Sequence, residues 1–470
     1  MATTELAVIG AGPAGLAAAV AAAQAGVQVM LLDEYPRPGG QYLKGTEASP
    51  VSAAERQGRM LLQELPGLPI ELRLQTLVWG IEGKRLALHS PAGLDWLEAG
   101  AIIAATGARE LVIPFPGWTL PGVLTLGAAQ VLAKEHGVLP GRRILLAGSG
   151  PLLLPVANQL ARRGTELVAV LEATRPGQWL AQTAAVWGNW DRLAEGWHYL
   201  HSLRRAGIPY RFGQTVIRAL NESPSPTRGG PGRGQELIAV VVARLDRQGR
   251  PIPGSEKTLD ADTLCVGFGF TPNIELTQLA GCAHRFDPAR GGWTPQVDER
   301  QETSQPGLFV AGESAGVGGA AAAMVEGRVA GLAAAQQLGY LSANDLAAEL
   351  AKVTGQRRRL RRFGAMLNTL FAPPPGLNAL ITAETVICRC EEVTAAEVRA
   401  VVEQGVVNLD ALKTHLRVGQ GPCQGRTCGP LLSRLISQQT GCPAAESGSF
   451  HIRPPLKPVL LGELAGGDRP

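Results

Sequence analysis

Aromatic residues make up only 5% of this 470-residue chain, and no cysteine occurs before Cys265. The late start and the odd total of seven cysteines exclude a secreted disulfide framework. An excess of charge is also missing: 44 Lys and Arg stand against 40 Asp and Glu, a formal net charge of +4. No face is compelled to be basic, so nucleic-acid binding has no compositional support. No apolar run reaches the ~20 residues that span a bilayer, since the longest small-residue stretch, Ala14 to Gly26, is alanine-rich and broken by Gln24. No transmembrane helix is expected. Neither a basic segment nor an apolar signal core precedes the first motif, so a cytoplasmic location is expected, with peripheral attachment to the inner face of the membrane left open. Glycine, by contrast, is abundant at 59 residues without a collagen-like period, which places the excess in turns and nucleotide loops. At ~150 residues per domain the length suggests about three domains, and 45% hydrophobic residues supply more than one core.

The first element, Leu6 to Ile9, runs into Gly10-Ala11-Gly12-Pro13-Ala14-Gly15 and then an alanine-rich helical stretch closed by Gly26. A second apolar run, Val27 to Leu32, ends at Asp33-Glu34, about 20 residues past the glycines, where a Rossmann unit places the acid that grips an adenosine ribose. Pyrophosphate needs close backbone approach, free N–H donors and a helix N-terminus; Gly10, Gly12 and Gly15 serve the turn, the approach and the helix–strand packing. Asp33 and Glu34 compete for the ribose, with the apolar register favouring Asp33.

A second copy starts at Ile144 to Ala147, turns through Gly148-Ser149-Gly150-Pro151-Leu152-Leu153 and ends at Leu167 to Leu171 and Glu172. Leu153 stands where a dinucleotide fingerprint wants Gly or Ala, so NAD(P) is not expected there, although Glu172 could meet a ribose. Further buried strands ending in glycine turns are read at Leu264 to Gly269 and Leu308 to Glu313. The order predicts an α/β chain in which a Rossmann-like domain (1–115 and 262–340) is interrupted by a second Rossmann-like domain (116–261). Residues 223–234, SPSPTRGGPGRG, read as a solvated loop, and the basic run Arg357 to Arg362 before Pro373-Pro374-Pro375 reads as a helical, partly exposed linker (341–380).

Four cysteines crowd near the C-terminus: Cys388-Arg389-Cys390, then Cys423-Gln424-Gly425-Arg426-Thr427-Cys428. Two tight thiolate pairs can bind an Fe–S cluster or zinc, and the single-residue gap between Cys388 and Cys390 tilts toward [2Fe–2S]. Arg389, Arg417 and Arg426 lie near them and either offset cluster charge or are solvated surface residues. Cys265, Cys282 and Cys442 read as packing residues. Outside this region no CxxC occurs, which argues against disulfide-reductase chemistry.

Three further signals are similar to the flavin contacts of two-dinucleotide-binding flavoprotein reductases: Pro38-Gly39-Gly40-Gln41, Ala105-Thr106-Gly107 and Ala311-Gly312-Glu313. That resemblance implies FAD in the first domain, contacted by Gly10, Gly12, Pro13, Ala14, Gly15, Asp33 or Glu34, Gly40, Gln41, Thr106, Gly107, Gly312 and Glu313. A helix beginning near Gly318 would point its positive end at the reduced flavin. With CRCEEV at 388–393, GQGPCQGRTC at 419–428, PFPGWTLPGV at 114–123 and the RPPLKPVLLGELA tail, the chain resembles the alpha-type subunits of heteromeric amino-acid dehydrogenases and oxidases over nearly its whole length. The resemblance implies a small helical domain (381–445) like bacterioferritin-associated ferredoxin (BFD), with a [2Fe–2S] cluster on Cys388, Cys390, Cys423 and Cys428, and a Pro-rich tail (446–470). It also implies a DAO-like flavoprotein beta-type subunit that oxidises the C–N bond of an amino or imino acid. This chain would then collect the electrons and pass them to an acceptor the sequence does not name. Whether an additional FMN lies at the subunit interface is left open.

Flavin and cluster together form a relay from a two-electron donor to a one-electron acceptor. Two alternatives stand beside it: a self-sufficient NAD(P)H-dependent reductase using the GSGPLL turn, and a zinc-stabilised assembly subunit. His198, His201 and Arg204 read as polar residues on a helix surface, not as catalysts. The relay requires Cys388, Cys390, Cys423 and Cys428 to converge in space.

Overall fold

The computed structural model describes residues 2–45, 52–177, 188–221 and 236–465; the loop 223–234 lies outside the described residues. The chain forms two compact units. One comprises Met1–Arg109, Phe270–Asn368 and His451–Pro470, the other Glu110–Gly269 and Thr369–Phe450.

In the first unit, β1 (Ala2–Ile9), β2 (Val29–Leu32), β3 (Ile70–Arg73), β4 (Leu77–Glu82), β5 (Arg85–Ser90) and β6 (Gly93–Ala104) form a sheet in the order β3-β2-β1-β6-β5-β4. β6 serves two purposes. Its first half pairs antiparallel with β5, and its second half pairs parallel with the strand Leu308–Val310. β1, β2, β3 and the end of β6 are thus parallel; Leu6–Ile9, β2 and the end of β6 are buried, which explains their unbroken apolar runs, whereas β3 at the edge, with Glu71 and Arg73, stays partly exposed. The helices Pro13–Gln24 and Ala320–Gln337 cover this sheet. Alanine and glycine let them approach closely: a Cβ on Gly327 would lie 2.0 Å from Ala14 O, and one on Gly331 2.3 Å from Ala18 O. The close contact brings the starts of both helices to the ends of the parallel strands.

In the second unit five parallel strands run in the order Tyr210–Phe212, Glu166–Glu172, Arg143–Gly148, Thr263–Gly267, Val123–Thr125. A three-stranded antiparallel sheet, Gln214–Leu220, Ala239–Arg244 and Lys257–Asp260, accompanies them. The same unit holds the C-terminal helices Ala395–Glu403, Leu409–Leu416 and Cys428–Thr440 beside a short hairpin, Val386–Cys388 with Val393–Thr394. Among the described residues no helix is long and apolar enough to cross a membrane.

Candidate functional site

The first glycine turn lies between β1 and its helix, as the motif requires. Gly10 has φ 103, and a Cβ there would strike Ala105 O at 2.4 Å, so the turn is pressed against the end of β6. Gly40 faces Gly12 so closely that a Cβ on Gly40 would be 2.7 Å from Gly12 Cα. Two backbones free of side chains thus face each other at a helix N-terminus begun by Pro13, a cradle suited to a pyrophosphate. Gln41 follows on the exposed edge, and Ala14 is buried under the turn.

The two acids after β2 part company. Asp33 is buried; its Oδ2 accepts from Ala11 N at 2.6 Å and its Oδ1 from Tyr35 N at 2.9 Å. Burial raises its pKa, against the pull of those two N–H donors. Each oxygen keeps a second lone pair for a ribose hydroxyl. Glu34 points to the surface and pairs with Lys457 of the C-terminal tail.

Thr106 and Gly107 are held by a residue that the motif reading missed. Asn273 Nδ2 donates to Thr106 O at 2.8 Å, and Asn273 O accepts from Thr106 Oγ1 at 2.9 Å. Arg109 Nη1 bridges Asn273 Oδ1 at 3.0 Å and Glu275 Oε1 at 2.6 Å. Gly312 and Glu313 close the same end of the unit. The helix that follows begins at Ala320 with Gly319 as its cap, and Gly319 N–H donates to the Glu313 carboxylate. Burial nonetheless raises the Glu313 pKa.

In the second unit, the four C-terminal cysteines come together as a chain of sulfur contacts, Cys388–Cys428–Cys423–Cys390. Cys428 donates its thiol hydrogen toward Cys388 and Cys423, and Cys423 in turn contacts Cys390. Backbone N–H groups of Gly419, Glu391 and Cys390 point at Cys388, those of Thr427 and Gly425 at Cys423, and that of Cys423 at Cys390. The Cys428 hydrogen bond, backed by these donors, lowers Cys388 to about 6 and Cys423 to about 4, whereas Cys428, as donor, is raised. Cys390 is raised by burial and by the neighbouring Cys423 and Cys388 charges. The contacts are pairwise: among the described residues no three His, Cys, Asp or Glu side chains close on a single metal ion. Two cysteine pairs surrounded by N–H donors match the donor set of a two-iron cluster, with one pair per iron and hydrogen bonds to the sulfurs.

The loops carrying the cysteines are strained to bring them in. Glu392, Arg417 and Gln424 have φ of 56, 60 and 51, left-handed values uncommon outside glycine. Gly421 admits Cys390, since a Cβ there would lie 2.2 Å from that of Cys390. Cys428 opens the helix Cys428–Thr440, which fixes its sulfur between Cys388 and Cys423. Trp118, buried within the PFPGWTLPGV segment, ties this region to the rest of the unit: its indole N–H donates to Val386 O at 2.8 Å, and Arg389 lies 5.3 Å over its ring. Arg417 pairs with Glu391 at 3.1 Å, and Arg426 Nη1 reaches Cys423 O at 3.3 Å. Cys265 is wholly buried and pushed up to about 12 by desolvation.

The second glycine turn differs from the first. Its Ser149 Oγ donates to Phe371 O at 2.8 Å, and both atoms are buried. Glu172 has 0% exposure, less than Asp33 of the first turn; it accepts from Gly150 N at 3.2 Å, Thr174 N at 2.9 Å and Tyr210 Oη at 3.4 Å. Leu153 is wholly buried in the core of this unit.

Comparison with known proteins agrees with this geometry. Residues 4–339 match the pyridine nucleotide-disulphide oxidoreductase family, and residues 386–438 the BFD-like [2Fe-2S] binding domain. The chain is 34% identical to the A subunit of opine oxidase from Rhizobium meliloti, covering 98% of this chain and 87% of that one. It is also 34% identical to the HcnB subunit of hydrogen cyanide synthase from Pseudomonas aeruginosa, covering 96% of each. The alpha subunit of sarcosine oxidase from R. meliloti is 27% identical over 98% of this chain but only 42% of its own length. The crystal structure of L-proline dehydrogenase from P. horikoshii shares the fold, with a TM-score of 0.69 at 22% identity over 98% of this chain and 79% of that one. The expected flavoprotein architecture with a BFD-like domain is therefore present, and the chain belongs to the oxidoreductase family that includes HcnB and the A subunit of opine oxidase.

Proposed function

We propose that this chain is the electron-transfer subunit of a heteromeric amino-acid or imino-acid dehydrogenase or oxidase, holding FAD in the first unit and a [2Fe–2S] cluster on Cys388, Cys390, Cys423 and Cys428. The observation that carries it is the chain of contacts linking four cysteine sulfurs, with six backbone N–H donors aimed at them, in a protein whose first glycine turn has the open backbone cradle of a dinucleotide site.

When bound, the flavin accepts an electron pair and the cluster passes electrons singly. The residues of the chain bind and orient. Gly10, Gly12, Gly15 and Gly40 keep the pyrophosphate cradle open, while Asp33 closes it and faces the ribose. Asn273 fixes Thr106 and Gly107 at the ring side, and Glu313 lies at the start of the Ala320–Gln337 helix. The N–H donors around the sulfurs favour thiolates and stabilise the reduced cluster.

A DAO-like partner subunit performs the C–N oxidation, as the heteromeric names of the relatives suggest, and an additional FMN at the interface belongs to the same proposal. NAD(P)H is not the electron source: Ser149 is engaged by Phe371, Glu172 is enclosed and Leu153 fills the packing position. The test is anaerobic purification of the full chain co-expressed with a DAO-like flavoprotein from the same source. Flavin and [2Fe–2S] spectra that bleach with an amino or imino acid only in the complex are expected. Rapid bleaching of the isolated chain by NADH would favour the self-sufficient reductase, and zinc without iron or sulfide would favour an assembly subunit.

A further inference from the structure

The basic run of the Ala343–Leu370 helix plays no part in the proposed electron path, and the fold sorts it into two faces. Arg358, Arg359 and Arg362 are exposed, whereas Arg357 and Arg361, one turn apart, are drawn inward. Arg361 Nε pairs with the buried Glu326 at 2.7 Å, and Glu326 Oε2 accepts from Gly312 N at 3.2 Å. Arg357 and Arg361 each donate an Nη2 hydrogen to Gln301 Oε1 at 2.8 Å. Gln301 is wholly buried with φ 69, and its Nε2 donates to Val310 O at 2.7 Å, two residues before Gly312.

Arg290 completes the group by donating to Ala315 O. Its pKa is held down by burial and by the charge of Arg361. The same helix is pinned again further along. A Cβ on Gly364 would lie 2.9 Å from Gly318 Cα, and Asn368 Nδ2 donates to Ala289 O and Val317 O, both at 2.9 Å. Three guanidinium groups thus stand behind the Gly312–Gly319 turn beside the buried Glu326, with the enclosed Glu313 in the turn itself and the half-buried Asp287 beside Arg290; Asp298 and Glu299, the other acids near Arg357, are exposed. Solvent screens the exposed acids most, so the buried Glu326 and the inward Arg361 are the charges whose removal acts most directly on the turn.

We infer that Glu326 and Arg361 are positioning residues for the flavin. They set the Gly312–Gly319 turn, and their charges act on the ring with opposite signs: the Arg361 guanidinium favours the reduced, anionic form and the Glu326 carboxylate disfavours it. The inference rests on the flavin assignment proposed above. Two electrons and one proton convert oxidised flavin to its anionic reduced form, with the electrons coming from the amino or imino acid through the partner, or from the reductant in the test.

Full-length wild-type, E326Q, R361Q and R361K chains, loaded with FAD, are reduced slowly beside a reference dye, and the ratio of reduced to oxidised flavin is read at fixed potential. E326Q removes the carboxylate paired with Arg361 and is expected to raise the ratio about tenfold, about 30 mV for a two-electron couple. R361Q removes a positive charge and lowers the ratio by a similar factor, while R361K keeps the charge and stays within about twofold of wild type. A merely loosened turn would move E326Q and R361Q in the same direction, so shifts of one sign, or none, overturn the inference. If E326Q does not fold, R361Q against R361K decides, and equal ratios refute it. A wild-type chain with no flavin spectrum after loading overturns the flavin assignment and this inference with it, whereas bound flavin with unmoved ratios overturns this inference alone.

Discussion

Replacing Glu172 by Gln is expected to remove a pH dependence of stability that the wild-type chain carries between about pH 4.5 and 7. Desolvation pushes this carboxyl up from 4.5 to about 7, against the N–H groups of Thr174 and Gly150 and the hydroxyls of Thr174 and Tyr210, which pull it down. A displacement of that size corresponds to about 3 kcal/mol. The folded chain keeps the proton to higher pH than the unfolded chain does, so between these two values the unfolded state binds fewer protons and stability falls as pH rises. The stabilisation is complete below pH 4.5 and lost above about 7. Urea unfolding of wild type and E172Q, followed by far-UV circular dichroism from pH 4.5 to 8, isolates the effect as the difference between the two curves. The Gln amide oxygen can still accept from one of the two backbone donors while its NH2 mispairs with the other, but that cost does not vary with pH, so the slope alone is informative. Parallel curves would mean that Glu172 is solvated in the folded chain, and that the second glycine turn is open to a nucleotide after all.

Other expectations follow from single contacts. W118F removes the indole donor from Val386 O and should cost about 1–2 kcal/mol, and W118A about 3–5 kcal/mol, in denaturant unfolding; a loss below about 0.5 kcal/mol for W118A would show that the residue is not packed. G40A places a Cβ against Gly12 Cα in a left-handed turn and should weaken FAD binding at least about tenfold, with far-UV circular dichroism and iron content unchanged; equal titrations would reject the cradle. C423S should abolish the visible cluster spectrum and halve or empty the iron content while the flavin absorbance remains, and a retained [2Fe–2S] spectrum would remove Cys423 from the ligand set.

Both glycine turns were legible because their information is local. A strand, a turn that only glycine tolerates and a helix follow one another within about 20 residues, and the structure shows the strand–turn–helix order at Ala2–Gln24 and Arg143–Arg162. The cysteine pairs were legible for a similar reason, since residues two and five positions apart are held near each other by the chain itself. Asn273, Glu326, Gln301 and Trp118 were not. Each acts on a segment that other elements bring to it, such as Asn273 on Thr106 and Trp118 on Val386, and an isolated Asn or Trp carries no periodic mark.

The two acids after β2 and the arginine run show where reading along the chain stops. Asp33-Glu34 named two candidates, and only the closure of the turn onto β2 turned one inward to Ala11 and left the other at the surface. Residue order alone determined that this chain has two nucleotide-type turns and a four-cysteine module, because each is written within one short stretch. Tertiary structure decided which turn stays open, which acid faces it and which arginines turn inward. Those outcomes depend on what packs against each residue from distant parts of the chain, and burial, not identity, sets the charge and availability of an ionisable group.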